Sequence, residues 1–217
     1  MLKYTVANLK GGSGKTTTAG YLAAGLHAAG LRPVGIDADE ENVGFAGWEG
    51  LPFPVEPYAT ADLDKTLPGV LGDRFGSAVA DTPPMRDKRS VVRGLVRWAT
   101  HIVVPMAPTS AEYKRMPVMA EFLREALDGR PSPVVVVLLN RVVPGAASTK
   151  AYRDQLVMDG WHVLRPTIGR LERYAQAQDD PIKDPLNTPY GFALEETFDL
   201  TPDMAGVPNP KKLETVK

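Results

Sequence analysis

The sequence predicts an α/β fold in which helices cover both faces of a mostly parallel sheet. Short apolar runs alternate with segments of helical periodicity along most of the chain. The run from Pro133 to Leu139 consists almost entirely of Val and Leu, as expected of a strand that is buried on both faces. A glycine-rich stretch at residues 10–17 separates the first apolar run from the first helical segment, which indicates a ligand site at the carboxyl end of the first strand.

Strands and helices are predicted in alternation along the chain. The strands are expected at residues 4–7, 33–36, 77–81, 102–105, 133–139 and 161–164. The helices are expected from the glycine-rich stretch to about residue 30, and at residues 59–71, 87–100, 109–127, 148–158 and 192–198. The connection at residues 42–58 is expected to be irregular, with a short helix near residues 45–48. Thr109 and Glu112 predict a capping box, and Pro117 is expected to kink the helix behind it.

Composition limits the class of protein. The chain has 217 residues, of which 43% are hydrophobic and 24% charged, and its formal net charge is -1. These values are ordinary for a globular domain, and they exclude a strong overall positive field that would attract nucleic acid. The chain contains no cysteine, which excludes disulfides, thiolate zinc sites and cysteine-ligated iron–sulfur clusters. We expect a single domain over residues 1–200 and a mobile, Pro-rich tail over residues 201–217.

A phosphate-binding loop is predicted by the glycine-rich stretch, which reads Lys10-Gly11-Gly12-Ser13-Gly14-Lys15-Thr16-Thr17. Glycines let several backbone N–H groups point inward, and the N-terminus of the following helix adds a partial positive charge. Lys15 is placed to reach the β- and γ-phosphates, and the Thr16 hydroxyl to bind Mg²⁺. We therefore assign nucleotide binding to the loop residues Gly11, Gly12, Ser13, Gly14, Lys15, Thr16 and Thr17.

The loop departs from the ordinary P-loop pattern, because Leu9 replaces its first glycine and a second lysine, Lys10, follows. In this it resembles the deviant Walker A box of the ParA/MinD family of ATPases. The resemblance implies a P-loop NTPase fold, ATP and Mg²⁺ as cofactors, and a homodimer that forms when ATP is bound. It implies catalytic roles for Lys15 and for Lys10, which would cross to the ATP of the opposite subunit. The likeness is closest to small ParA-type partition ATPases that lack an N-terminal helix-turn-helix domain. The first strand begins so early that we expect no room for such a domain here.

Two acidic motifs follow buried strands. Asp37-Ala38-Asp39 resembles the Asp-x-Asp switch motif of the family, which implies that Asp39 orients and polarises the attacking water. Asp37 would hold the nucleotide–Mg²⁺ site indirectly, through the groups that contact the metal. Asp81 resembles the Walker B carboxylate, which would hold Mg²⁺ through water. The metal site is therefore assigned to Thr16, Asp37 and Asp81.

The nucleotide base is assigned to Asn140 and Arg141, which follow the Val- and Leu-rich strand. Guanine-specific relatives place an aspartate shortly after such an asparagine, whereas Val142 and Val143 stand here. The resemblance therefore favours ATP over GTP.

Basic residues suggest two surfaces for DNA. Four arginines of the helix predicted at residues 87–100 recur at spacings of three and four, and form a stripe: Arg86, Arg89, Arg93 and Arg97. The stripe is either a solvated face or a contact for DNA phosphates, a partner or a second subunit. Residues 168–177 resemble a family segment that carries basic residues used on DNA, with Gly169 in place of its usual proline. This resemblance implies DNA contacts for Arg170 and Arg173.

The resemblance makes an ATP-dependent partition or positioning ATPase the leading hypothesis. Its ATP-bound homodimer would bind nonspecific DNA, and a ParB-like or other adaptor protein would stimulate weak basal hydrolysis and cause release, segregating a plasmid or chromosome. Two alternatives remain open: a metabolic P-loop enzyme that activates a carboxylate with ATP, and a positioning ATPase for a protein assembly.

The expected location is the cytoplasm of a bacterium, in association with the nucleoid. The sequence has no signal peptide and no apolar run long enough to span a bilayer. MinD-type relatives end in a basic amphipathic helix that binds membrane, but Pro202, Pro208 and Pro210 argue against such a helix here. We therefore expect no membrane partner.

Overall fold

Seven parallel strands form a single sheet in the computed structural model, which describes residues 1–41 and 44–208, without the side chains at positions 86, 87 and 179. The strands are β1 Leu2–Val6, β2 Pro33–Asp37, β3 Val55–Pro57, β4 Ser77–Asp81, β5 His101–Met106, β6 Val134–Val142 and β7 His162–Gly169. Their order across the sheet is β3-β2-β4-β1-β5-β6-β7. The predicted parallel α/β architecture is confirmed, and β1 lies at its centre.

Helices connect the strands in the predicted alternation. They are α1 Lys15–Ala28, α2 Leu63–Leu71, α3 Met85–Trp98, α4 Ser110–Tyr113, α5 Met116–Leu127, α6 Ala147–Met158, α7 Glu172–Ala175 and α8 Pro189–Phe198, with short 3₁₀ turns at Ala177–Asp179 and Pro185–Asn187. Within the described ranges, none of these helices has the length and apolar character needed to cross a membrane.

Both faces of the sheet are buried, as the Val- and Leu-rich strand predicts. Alternate side chains of a strand point to opposite faces. On β6, Val134, Val136 and Leu138 pack in the cluster that contains α1 and α8, whereas Val135, Val137 and Leu139 pack in the cluster that contains α5. A third cluster joins the β2 and β4 strands to α2 and α3.

The sheet register brings the acidic motifs to the phosphate loop. Asp81, the last residue of β4, lies opposite Val6 of β1 on one side and Asp37 of β2 on the other. Because parallel strands end at the same edge, the loop after β1 and both carboxylates share one crevice.

The connection from residue 44 to residue 54 differs from its prediction. There is a turn at residues 45–48 instead of a short helix, closed by the Trp48 N–H donating to the Phe45 carbonyl over 3.2 Å. Phe45 and Trp48 are buried because two glycines make room for their rings. A Cβ atom would lie 2.2 Å from the Trp48 ring if added at Gly20, and 2.7 Å from the Phe45 ring if added at Gly35. The connection then forms the edge strand β3, which was not predicted.

Several element boundaries also differ. The helix predicted at residues 59–71 begins at Leu63, and the strand predicted at residues 161–164 runs from His162 to Gly169. The helix predicted at residues 109–127 is two helices, α4 and α5, so that Pro117 stands in the first turn of α5 instead of kinking one long helix. Proline is tolerated there because the backbone N–H that proline lacks would have no intrahelical acceptor in the first turn.

The start of the predicted tail contacts the domain, whereas the division at residue 200 into a domain and a mobile tail stays a prediction. Ala205 is 1% exposed, and its carbonyl accepts a hydrogen bond of 2.8 Å from the Val135 N–H at the start of β6. Pro208 is buried as well. Residues 205–208 therefore pack on the domain, since Ala205 satisfies a backbone donor of β6. Residues 209–217, including Pro210, lie outside the described residues.

Candidate active site

The predicted phosphate loop connects β1 to α1 and contains two glycines with left-handed backbone conformation. Gly12 and Gly14 have φ values of 72° and 84°, in the region that disfavours other residues. A Cβ atom at Gly14 would also lie 2.5 Å from the Asn140 Nδ2 atom. Glycine is therefore required at Gly14 for both backbone conformation and space, and α1 begins at the next residue.

Lys15 lies inside the site. It is 7% exposed, and its Nζ donates to the Lys10 carbonyl over 3.3 Å. Burial lowers the pKa of Lys15, while the nearby carboxylates of Asp81, Asp39 and Glu112 act in the opposite direction. A buried ammonium group surrounded by carboxylates is suited to exchange those carboxylates for phosphate oxygens.

Thr16 and Asp81 form the part of the site that fits Mg²⁺. The Thr16 hydroxyl donates to Asp81 Oδ2 over 2.5 Å, whereas Asp81 Oδ1 is buried and has no hydrogen-bond partner among the described residues. Burial raises the pKa of Asp81 to about 7, against the effect of the Thr16 hydrogen bond and the charge of Lys15. A hydroxyl and a carboxylate with a vacant oxygen are ligands that Mg²⁺ accepts, directly or through water.

A metal ion at Thr16 and Asp81 would need further ligands from a nucleotide. Across residues 1–41 and 44–208, no group of three or more His, Asp or Glu side chains could hold a metal ion. Because Mg²⁺ in such sites takes most of its ligands from phosphates and water, one hydroxyl and one carboxylate suffice when a nucleotide supplies the rest.

Asp37 organises the loop that carries Asp39. The Asp39 N–H donates to Asp37 Oδ1 over 3.0 Å, and the Ala46 N–H donates to Asp37 Oδ2 over 2.7 Å. Each carboxylate oxygen of Asp37 thus fixes one end of the segment behind β2. The role of Asp37 in the metal site stays a prediction, as does the role of Asp39 in orienting water, although Asp39 lies close enough to Lys15 to affect its pKa.

Asn140 and Arg141 lie beside the phosphate loop. Asn140 Nδ2 donates to the Ser13 carbonyl over 3.2 Å, and Arg141 Nη1 donates to the Gly12 carbonyl over 2.6 Å. Both side chains therefore brace the loop. The cleft between them has a volume of about 370 Å³, and its wall includes Tyr174 and Tyr190. This cleft is large enough for a nucleoside. The assignment of Asn140 and Arg141 to the nucleotide base stays a prediction.

Lys10 lies on the outer side of the loop. Its side chain is 52% exposed, and its Nζ lies 3.2 Å from Oε1 of Glu112, whose side chain is 6% exposed. Lys10 also lines a groove of about 640 Å³ together with Pro84, Met85 and Phe122. The two lysines of the loop therefore have different environments, one inside the phosphate site and one on the surface beside it.

Comparison with protein families agrees with this geometry. Residues 4–182 match the model of the CobQ/CobB/MinD/ParA nucleotide-binding domain. The chain belongs to this family. The match includes the phosphate loop, both acidic motifs, Asn140 and the segment around Arg170.

Two curated members of the family are similar over most of the chain. Both are named maintenance of carboxysome distribution protein A. The protein from Halothiobacillus neapolitanus is 25% identical over 185 residues, which cover 79% of this chain and 81% of that protein. The protein from Gloeobacter kilaueensis is 36% identical over 146 residues, which cover 64% of this chain and 62% of that protein.

Solved structures of the family share the fold at low sequence identity. Apo McdA from Cyanothece has a TM-score of 0.74 at 18% identity and covers 91% of this chain and 99% of its own. A putative plasmid partition protein from Borrelia burgdorferi, bound to AMPPNP, has a TM-score of 0.71 at 18% identity, and the match covers 91% of this chain and 98% of that protein. Cobyrinic acid a,c-diamide synthase from Mycobacterium smegmatis, with ADP and magnesium, has a TM-score of 0.69 at 16% identity, and the match covers 90% of this chain and 91% of that enzyme. Because these family members differ in task, the fold alone does not identify the cargo or the substrate.

The arginines proposed for DNA differ in how their charges are compensated. Arg89 Nη2 lies 2.7 Å and Arg93 Nη2 3.8 Å from the same Glu125 carboxylate oxygen, and Arg97 Nε donates to the Ala126 carbonyl over 2.9 Å. This part of the stripe attaches α3 to α5. The side chain of Arg86 is outside the described residues.

Arg170 and Arg173 are exposed, and neither pairs with a carboxylate in the described part of the chain. The Arg173 guanidinium stacks 4.9 Å from the centre of the Tyr174 ring. Their charges are therefore less compensated than those of the stripe. Their contact with DNA stays a prediction of the family resemblance.

Sequence reasoning missed the contact between Glu112 and Lys10. The sequence predicts a capping box for Thr109 and Glu112, but only half of that motif is present. The Glu112 N–H donates to Thr109 Oγ1 over 3.4 Å, whereas the Thr109 N–H donates to the Ala107 carbonyl over 2.8 Å instead of to the Glu112 carboxylate. The carboxylate is thus available for Lys10, about a hundred residues earlier in the chain.

Proposed function

We propose that the protein is an ATP-dependent positioning ATPase. ATP with Mg²⁺ would close a homodimer, the dimer would bind DNA without sequence preference, and an adaptor on the cargo would stimulate hydrolysis and release. The observation that carries this proposal is the position of Lys10, on the outside of a phosphate loop that already has a buried lysine. A lysine in that place can reach the nucleotide of a second subunit that docks against the groove beside it.

The residues of one subunit would divide the work as follows. Lys15 would compensate the charge of the phosphates, and Asp39 would orient the attacking water. Mg²⁺, held by Thr16 and Asp81, would neutralise charge on the phosphate oxygens. Lys10 of the second subunit would add a positive charge at the oxygen of the breaking bond, which a single subunit does not supply.

The cargo proposed first is a protein assembly, because both curated relatives bear the name of a carboxysome distribution protein. Segregation of a plasmid or chromosome is the second candidate, favoured by the similarity to a putative plasmid partition protein. Disruption of the gene in its source cell separates them. Clustered protein assemblies with normal plasmid inheritance support the first, and loss of DNA with normal assemblies supports the second.

The central experiment measures dimerisation and DNA binding with ATP and with ADP. The parent protein should dimerise and bind arbitrary duplex DNA with ATP only. A Lys15→Ala variant should lose ATP binding, whereas Lys10→Ala should still bind ATP but dimerise weakly and not hydrolyse. Asp39→Ala should bind ATP and accumulate as a dimer. A Lys10→Ala protein that dimerises and hydrolyses normally would contradict the proposal.

DNA binding has a separate test in its salt dependence. Each phosphate contact releases counterions, so affinity should fall steeply as salt rises. Replacement of Arg170 and Arg173 by alanine should flatten that dependence without changing ATP affinity. An unchanged dependence would exclude these two arginines and direct attention to Arg89, Arg93 and Arg97.

The rate of hydrolysis distinguishes the metabolic alternative. A positioning ATPase should turn over slowly until a partner stimulates it. A rate near ~10 s⁻¹ for the protein alone, typical of metabolic enzymes, would favour an enzyme that activates a carboxylate.

A further inference from the structure

Glu112 is a nearly buried carboxylate at the start of α4 that faces the phosphate loop. Its Oε1 lies 3.2 Å from Lys10 Nζ, and its side chain is 6% exposed. A buried carboxylate is costly unless a cation or hydrogen-bond donors compensate it. Within the described part of the chain, Glu112 forms its ion pair with Lys10, which is half exposed.

The same carboxylate also acts on Lys15. Glu112 is one of three carboxylates that hold up the pKa of Lys15 against its burial. Glu112 therefore lies within electrostatic reach of both lysines of the loop. Its own chain neighbour Thr109 does not compete for the carboxylate, because the Thr109 N–H is bonded to the Ala107 carbonyl.

We propose that Glu112 restrains Lys10 within its own subunit, so that dimer formation requires ATP to displace this ion pair. The proposal rests on the proposed function, in which Lys10 crosses to the second subunit. Lys10 cannot contact a partner's phosphates at full reach while it is held by Glu112. Leaving Glu112 costs free energy because a nearly buried charge loses its partner, and the phosphates of the partner's ATP offset that cost.

This restraint would make dimerisation depend on the nucleotide. The γ-phosphate adds negative charge that competes with Glu112 for Lys10, and ADP lacks that charge. Glu112 is thus a positioning residue that acts through Lys10. Removal of its charge should make dimerisation easier, whereas a merely structural role for Glu112 would make it harder.

The test compares Glu112→Gln with the parent protein in an ATP titration monitored by light scattering. The variant keeps the size of the side chain and loses its charge. The ATP concentration that gives half-maximal dimer should fall about fivefold, the order expected for one partly exposed ion pair. Glu196→Gln is the matched control, because Glu196 is also mostly buried and pairs with Arg165 away from the loop, and it should not change the titration.

A half-maximal ATP concentration equal to or above that of the parent would overturn the proposal. If Glu112→Gln does not fold, Glu112→Asp serves instead, since the shorter side chain moves the carboxylate away from Lys10 and should lower the half-maximal concentration by a smaller factor. A parent protein that stays monomeric with ATP would contradict the proposed function itself. If the parent dimerises with ATP and the Glu112 variant has the same half-maximal ATP concentration, only the role of Glu112 is contradicted.

Discussion

The buried carboxyl group of Asp81 gives a quantitative test of the metal site. Its pKa is raised from 3.8 to about 7, mainly because burial disfavours the charged form. In the unfolded chain the same group ionises near its ordinary value. The folded protein therefore binds more protons than the unfolded chain between the two pKa values. The free energy of unfolding of the ligand-free protein should fall as pH rises through that window.

The magnitude follows from the shift. A change from 3.8 to about 7 is roughly three pKa units, and each unit is worth about 1.4 kcal/mol, so ionisation of Asp81 costs up to about 4 kcal/mol above neutral pH. Asp81→Asn keeps the shape of the side chain and removes the charge. The ligand-free variant should therefore be more stable than the parent at about pH 8, and the difference should shrink toward pH ~4.

The assay is urea unfolding of the ligand-free protein at both pH values, followed by melting with ATP and Mg²⁺. The parent should gain stability from Mg²⁺ in the presence of ATP, and Asp81→Asn should gain much less because a metal ligand is lost. Asp62→Asn is the control, since Asp62 is exposed and pairs with Lys65 on the surface. Its effect should stay within about 0.5 kcal/mol. A ligand-free Asp81→Asn protein that is less stable than the parent at about pH 8 would refute the reasoning.

Two further predictions concern the aromatic connection and a buried histidine. Trp48→Ala should destabilise the fold by about 3–5 kcal/mol. It should also slow hydrolysis more than it weakens ATP binding, because the Trp48 ring fixes the loop that follows Asp39. Equal losses of hydrolysis rate and ATP affinity would contradict this coupling. Burial lowers the pKa of His101, which stacks on Tyr4 at 4.6 Å, so the folded state resists its protonation. The stability that neutral His101 contributes should be complete above its unfolded pKa of about 6.5 and be lost as pH falls through its lower folded pKa. The acid-side fall in unfolding free energy should be shallower in His101→Gln, and an identical fall in both proteins would count against this assignment.

The parts of the site that local patterns encode could be predicted from the sequence. The loop from Lys10 to Thr17 lies between one strand and one helix, so its backbone chemistry follows from neighbouring residues. Asp37 and Asp81 could be placed together because each ends a buried strand, and parallel strands end at one edge. The register confirms this by setting the two residues opposite each other.

The missed features depend on contacts between distant segments. The local pattern around Thr109 gave Glu112 a capping role, whereas its carboxylate pairs with Lys10, which follows the neighbouring strand β1. The connection around Phe45 and Trp48 looked irregular because its order comes from space left by Gly20 and Gly35 on other elements. Neither kind of complementarity is visible in periodicity or turn chemistry.

The site holds its charges in pairs that a nucleotide would exchange. Lys15 is surrounded by carboxylates, Thr16 is bonded to Asp81, and Lys10 is bonded to Glu112. Under the proposed function, phosphates would take over the two lysines, while Mg²⁺ would take over Thr16 and Asp81. The exchange at Lys15 and Asp81 can occur within one subunit, because both groups are buried beside the loop. The exchange at Lys10 needs a second subunit, since Lys10 lies outside it. Nucleotide binding and dimerisation should therefore be separable steps, the first governed by Lys15 and the second by the competition between Glu112 and the partner's phosphates for Lys10.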